Sequence, residues 1–133
     1  MVKKLINIKD FNWEGKVILI VEDDYPSYMF LHTIITYARG NTVHIQNGID
    51  AIEYCKENNI DLILMDIQLP GISGFEATSE IKKFKPALPI VAQTAFALKG
   101  ERERSLDAGC DDYITKPIDK NNLVLLIDKY LNN

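Results

Sequence analysis

The stretch Asp61-Leu62-Ile63-Leu64-Met65-Asp66-Ile67-Gln68-Leu69-Pro70-Gly71 decides how the rest of the chain is read. An apolar run, Leu62 to Met65, stands between two acids, and Pro70-Gly71 closes the segment. A short continuous apolar run bounded by turn residues is the pattern of a buried strand. The acid that follows it, Asp66, then sits at the carboxyl end of that strand.

Similar runs occur on either side. Val17 to Val21 and Thr42 to Gln46 precede it, and Ile90 to Gln93 and Tyr113 to Thr115 follow. Segments with helical spacing lie between them. Phe30, Leu31, Ile34, Ile35 and Ala38 share one face of a first helix, and Ile49, Ile52 and Cys55 one face of a second. Ser73 and Glu76 have capping-box spacing at the start of a third. A fourth is expected from about Ala97 to Ala108, with Gly109 placed to end it. A fifth follows Asp119, with Leu123, Leu126, Ile127 and Tyr130 inward. Alternating strands and helices predict an α/β domain with a parallel five-stranded sheet and helices on both faces. In such sheets ligands bind beyond the carboxyl ends of the strands.

Composition narrows the function. The chain has 133 residues and a formal net charge of −4, with no dense Lys/Arg patch, which argues against direct nucleic-acid contact. Its apolar runs are too short to span a bilayer. Cys55 and Cys110 form no C-x-x-C pair and are expected to be reduced thiols in a cytoplasmic setting. Residues 1–15 lack a clear period and are expected to be an arm or interdomain linker, with the domain itself spanning 16–133. Trp13 falls in that arm, and its docking place is not legible.

The strand ends carry the chemistry. Glu22-Asp23-Asp24 follows the first strand, Asp66 the third, Thr94 the fourth, and Lys116-Pro117 the fifth. Converging carboxylates raise one another's pKa unless something neutralises them. A divalent cation with oxygen ligands suits Glu22, Asp23 and Asp66, and magnesium (or manganese) is the expected ion. Zinc is disfavoured because neither His32 nor His44 falls at a strand's carboxyl end. A carboxylate can attack phosphorus, so Asp66 is the candidate phosphoacceptor. Phosphoryl transfer depends on positioning and charge neutralisation, which Lys116 and the Thr94 hydroxyl can supply. Each residue alone has an ordinary explanation: a turn acid, a structural threonine, a solvated lysine, or, for Asp24, a helix cap ahead of Pro26. The reading rests on their joint order at the strand ends.

These residues resemble the receiver domain of the response-regulator superfamily. The matching motifs are Ile18-Leu19-Ile20-Val21-Glu22-Asp23-Asp24, the Asp61–Gly71 stretch, Pro89-Ile90-Val91-Ala92-Gln93-Thr94-Ala95 and Gly109-Cys110-Asp111-Asp112-Tyr113-Ile114-Thr115-Lys116-Pro117. The resemblance implies a doubly wound (βα)5 fold with the flavodoxin-like order 2-1-3-4-5. It implies two-component signalling with a phosphohistidine donor, either a histidine kinase or a histidine phosphotransfer domain. The Gln68 backbone carbonyl would be a further magnesium ligand, Thr94 and Tyr113 the switch pair, and Lys116–Pro117 a cis peptide. Gln68 and Phe96 would tune dephosphorylation. The Glu22-Asp23 pair departs from the usual Asp-Asp, which moves one carboxylate by a methylene. The motifs resemble most the C-terminal receiver of a bacterial hybrid sensor histidine kinase, the cytoplasmic part of a membrane-bound protein; a stand-alone receiver competes.

Leu98 to Leu106 is poor in apolar residues, whereas Leu123 to Ile127 is richer than one buried face needs, with Leu125 expected outward. The face of helix four, strand five and helix five is therefore the expected exit for the signal and a candidate homodimer contact. A conventional enzyme is not expected: there is no G-x-x-x-x-G-K-[ST] loop, and Gln68 stands where an aspartyl phosphatase usually carries a second Asp. A flavodoxin-type phosphate binder conflicts with the acids after strand one. The alternative is a pseudo-receiver that docks without being phosphorylated.

Overall fold

The computed structural model describes residues 6–95 and 100–132. Five parallel strands, β1 (Val17–Val21), β2 (Asn41–Ile45), β3 (Leu62–Asp66), β4 (Ile90–Thr94) and β5 (Asp112–Thr115), form one sheet in the order β2-β1-β3-β4-β5. The helices are α1 (Tyr25–Tyr37), α2 (Gly48–Glu57), α3 (Gly74–Phe84), α4 (Glu101–Asp107) and α5 (Lys120–Leu131). The doubly wound fold and its strand order are as the family resemblance implied. Among the described residues no helix is long and apolar enough to cross a membrane.

The central strands explain the pattern. Every residue of β3 and β4 is buried, because helices cover both faces of a parallel sheet. Alternate residues then feed two cores. Ile18, Ile20, Leu62, Leu64 and Val91 pack toward α1 and α5. Leu19, Val21, Ile63, Met65, Ile90 and Ala92 pack toward α2 and α3. Side-chain caps start α1, α3 and α5: Asp24 accepts from Ser27 N–H, Ser73 from Glu76 N–H, and Asp119 from Asn122 N–H. Gly109 follows α4 with φ +102°, which favours glycine and fits its role as terminator.

Three faces differ from expectation. Phe30 is 43% exposed, so only Leu31, Ile34, Ile35 and Ala38 of its proposed face are buried. On α2 the buried residues are Gly48, Ala51 and Cys55, while Ile49 faces outward. On α5, Val124 and Leu131 join Leu123 and Ile127 in the core, and Leu126 and Tyr130 are only partly covered. In each case the apolar period allowed a rotation of the helix that only packing fixes. The part of the fourth helix proposed before Gly100 includes residues outside those described.

Residues 6–16, before β1, are folded onto the domain. A short 3-10 turn covers Ile8–Asp10, and Trp13 is fully buried in the α1/α5 core. Trp13 N–H donates to the Ala38 carbonyl at 2.8 Å, and its indole Nε1–H donates to Asp128 Oδ1 at 3.0 Å.

Candidate functional site

The carboxyl ends of β1, β3 and β5 bring Glu22, Asp23, Asp66 and Lys116 together. One carboxylate oxygen from each of the three acids lies within 4.8 Å of the others. Glu22 and Asp66 are buried, while Asp23 is exposed at the mouth. Lys116 Nζ donates to Glu22 Oε1 at 2.7 Å and stands 3.7 Å from Asp66 Oδ2. Lys116–Pro117 is a cis peptide, as the resemblance implied. Thr94 ends β4 beside Asp66 and is buried. Its carbonyl accepts from Lys116 N–H at 2.7 Å, which ties β4 to the turn carrying the ammonium.

Second contacts orient these groups. Gln68 N–H donates to Asp66 Oδ1 at 3.1 Å, and Asp24 N–H to Glu22 Oε2 at 3.3 Å. His44 Nε2–H donates to the Glu22 backbone carbonyl at 2.7 Å, and the His44 ring stacks on Tyr28 with centroids 3.8 Å apart. His44 thus supports the acidic loop from behind rather than entering it. Tyr113 is half-buried on β5, where its hydroxyl accepts from Thr115 Oγ1 at 3.3 Å. Gln68 is exposed at the mouth. Phe96 lies outside the described residues.

The charges do not balance evenly. Burial first, then the hydrogen bond and charge of Glu22, push the Asp66 carboxyl up to about 7, against the pull of Lys116 and the Gln68 N–H. Burial also pushes Glu22 upward, but its hydrogen bonds with Asp66 and Lys116, the Lys116 charge and the Asp24 N–H together bring it below the usual range. The two carboxylates titrate as one close pair, which takes up its first proton at a higher pH than an ordinary aspartate. Burial works against the Lys116 ammonium, yet the two carboxylates hold its pKa above the ordinary lysine value.

An oxygen-only donor set with surplus negative charge fits a hard divalent cation such as magnesium. The cation and the Asp66 proton exclude each other, so affinity should depend on pH. Magnesium titrated calorimetrically should bind at pH 8 at least about tenfold more tightly than at pH 5.5, with proton release near neutrality. Affinity that is flat across this range would contradict the raised titration of the pair.

Gly74 fixes how close α3 comes to β3. A Cβ there would lie 2.2 Å from the Asp66 carbonyl oxygen and 2.8 Å from the Ile67 Cα, both backbone atoms. Gly74 N–H also donates to the Ile67 carbonyl at 3.0 Å. The Gly74→Ala variant must push α3 away from the acceptor loop. It should lose about 2–3 kcal/mol in urea unfolding, a typical overpacking cost.

The arrangement is not peculiar to this chain. Residues 18–128 match the response regulator receiver domain family. The chain belongs to that family. The polar-differentiation response regulator DivK of Brucella anthropi is 38% identical over 120 residues, covering 89% of this chain and 98% of DivK. The receiver domain of a Pseudomonas aeruginosa PAO1 sensor histidine kinase, whose crystal structure has a magnesium ion in the active site cleft, superposes with a TM-score of 0.83. It is 32% identical, over 90% of this chain and 99% of that one. The receiver domain of Ssk1 from Saccharomyces cerevisiae, crystallised with the histidine phosphotransfer protein Ypd1, gives a TM-score of 0.83 at 30% identity, covering 90% of each chain. The protein is thus a receiver domain of two-component signalling.

Two features of this receiver domain were not read from sequence. Four exposed large apolar residues, Tyr25, Met29, Phe30 and Tyr37, lie on α1, whereas α4 and α5 each expose one, Leu106 and Leu125. Gln93, on β4 between Asp66 and Ile114, is fully buried. A polar residue inside an otherwise apolar strand was the available signal for the second. The first needed the rotation of α1.

Proposed function

We propose that Asp66 accepts a phosphoryl group from a phosphohistidine and that the domain reports its presence to a partner. The observation that carries this reading is the Glu22/Asp23/Asp66/Lys116 cluster at the sheet's carboxyl edge. An Asp66 carboxylate oxygen bonds to phosphorus as the phosphorus–nitrogen bond to the donor imidazole breaks, and the electron pair leaves with the imidazole. Lys116, drawn away from Glu22, neutralises one phosphoryl oxygen, and the Thr94 hydroxyl donates to another. Glu22, Asp23, Asp66 and the Gln68 carbonyl would hold magnesium, which would supply the remaining charge neutralisation.

Movement of Thr94 toward the phosphoryl group leaves room for the half-buried Tyr113 ring to turn inward, and Gln68 at the mouth, together with Phe96, tunes dephosphorylation by the attacking water. The switched surface is α4, β5 and α5, where Leu106 and Leu125 are what a second copy would contact. The donor must reach Asp66, and α1 starts directly after the acidic loop with Tyr25, Met29 and Phe30 exposed, so that apolar face is what a donor would contact. The donor is a histidine kinase or a histidine phosphotransfer domain. The likeness to a sensor-kinase receiver supports an origin as the cytoplasmic C-terminal receiver of a hybrid kinase.

The test is to incubate the protein with acetyl phosphate and magnesium, then reduce it with borohydride, which converts an acyl phosphate to homoserine. Peptide mapping should place the product at position 66, and chelation of the metal should abolish it. A product elsewhere, or none, overturns the reading and leaves a docking module.

A further inference from the structure

Gln93 is the buried polar side chain that the phosphoryl chemistry does not use. Its Nε2 and Oε1 have no hydrogen-bond partner and no surface open to water. A buried amide without partners is costly, and native proteins seldom retain one without a use. Asp66 and Ile114 are its register neighbours on the sheet, and it faces the α1/α5 side. There it borders a cleft of about 390 Å³ whose other walls are Pro26, Ser27, Phe30, Lys116, Pro117 and Ile118. The cleft is large enough for a compact small molecule.

The chemistry of the walls limits what fits. Pro26, Phe30, Pro117 and Ile118 offer apolar surface. Ser27 Oγ already donates to Asp24, and Lys116 Nζ already faces Glu22 and Asp66. The unmet hydrogen-bonding capacity at this cleft is therefore that of the Gln93 amide, a donor beside an acceptor. Its complement is a neutral group that also carries a donor beside an acceptor, as a lactam or a primary amide does. The amide is closed to solvent, so the site requires a wall side chain to move, and Phe30, a wall residue that is 43% exposed on α1, can change rotamer without disturbing the sheet.

We propose that this cleft is a binding site for a small neutral molecule of the lactam or carboxamide class, with an apolar body against Phe30 and Pro117 and its amide paired to Gln93. The cleft shares Lys116 with the phosphoryl site, but it does not require Asp66 to be an acceptor. The probes are δ-valerolactam and its N-methyl derivative, followed by the Gln93 side-chain amide signals in nitrogen-15 NMR of the whole chain. The lactam should shift those signals saturably at millimolar concentration. The N-methyl compound, which lacks the donor, should bind about fivefold more weakly, the loss expected for one hydrogen bond. Gln93→Leu, near in size and apolar, should remain folded and show no lactam-induced shifts at Phe30 or Ile118. Asp66→Asn, which removes the proposed phosphoacceptor, should still bind. Equal binding of the two compounds, binding that persists in Gln93→Leu, or no saturable shift would each overturn the proposal. If Asp66→Asn binds lactam while wild type takes no phosphoryl group, the receiver chemistry fails and the cleft stands.

Discussion

Asp66→Asn is expected to accept no phosphoryl group and, without metal, to be more stable than wild type. The two effects have one origin. Asn offers no carboxylate to attack phosphorus, so label from acetyl phosphate should fall to background. It also removes an acid that folding places in a buried site 3.7 Å from Lys116 and next to Glu22. The folded Asp66 carboxyl titrates near 7 and its ordinary value is 3.8. Between those values the folded state binds the proton that the unfolded chain has released. Wild-type stability therefore falls as pH rises across that window and levels off above it. The variant has no such group, so its advantage should open above pH 4 and flatten above pH 7, reaching about 4 kcal/mol. Saturating magnesium should reverse the order, because binding stabilises the state that holds the ion and the variant has lost one ligand. Thermal melts of both proteins at pH 5 and pH 8, with and without magnesium, read all four conditions. A variant less stable than wild type at pH 8 without metal would refute the electrostatic account.

The acid cluster and the fold were both legible because they depend on order along the chain. In a parallel sheet every strand ends on the same edge, so Glu22, Asp23, Asp66, Thr94 and Lys116 needed only their positions after apolar runs to be placed together. Rotation about a helix axis is different. Phe30 and Ile49 satisfied an apolar period and still face outward, because the tighter approach of Ile34 and Ile35 on α1 and of Gly48 and Ala51 on α2 sets the buried stripe. Contacts between residues far apart in sequence were illegible for a similar reason. The bonds from His44 to the Glu22 carbonyl and from Trp13 to Asp128 join segments whose local patterns contain nothing of each other. Gln93 is an intermediate case. Its polarity within β4 was visible, but its lack of a partner is a property of the whole core.

Trp13→Ala should cost about 3–5 kcal/mol, the range for deleting a large buried aromatic side chain, and lower the melting temperature by roughly 10–15 °C. The indole is fully buried with Ile18, Ile35, Ala38 and Ile127, and the Phe11 ring lies 6.3 Å from it. Its removal opens a cavity and leaves Asp128 without its indole donor. The backbone around it is pinned by other bonds: Arg39 donates to the Phe11 carbonyl and to Asn12 Oδ1, and Asn132 donates to the Asn12 carbonyl. The segment should therefore stay attached and the loss should be mainly that of the cavity. Trp13→Phe separates the terms, since it keeps most of the apolar volume and deletes the hydrogen bond; it should cost about 1–2 kcal/mol. This anchor lies at the amino-terminal edge of the sheet, where Trp13 N–H meets the end of α1, opposite the edge that carries Asp66. Below its melting temperature, Trp13→Ala should then accept phosphoryl groups at close to the wild-type rate. Circular dichroism melts and acetyl phosphate labelling at 20 °C check both halves. A melting temperature within a few degrees of wild type would mean that residues 6–16 contribute little to the core, and Trp13, the only tryptophan of the chain, would be a reporter of the arm rather than of the domain's folding.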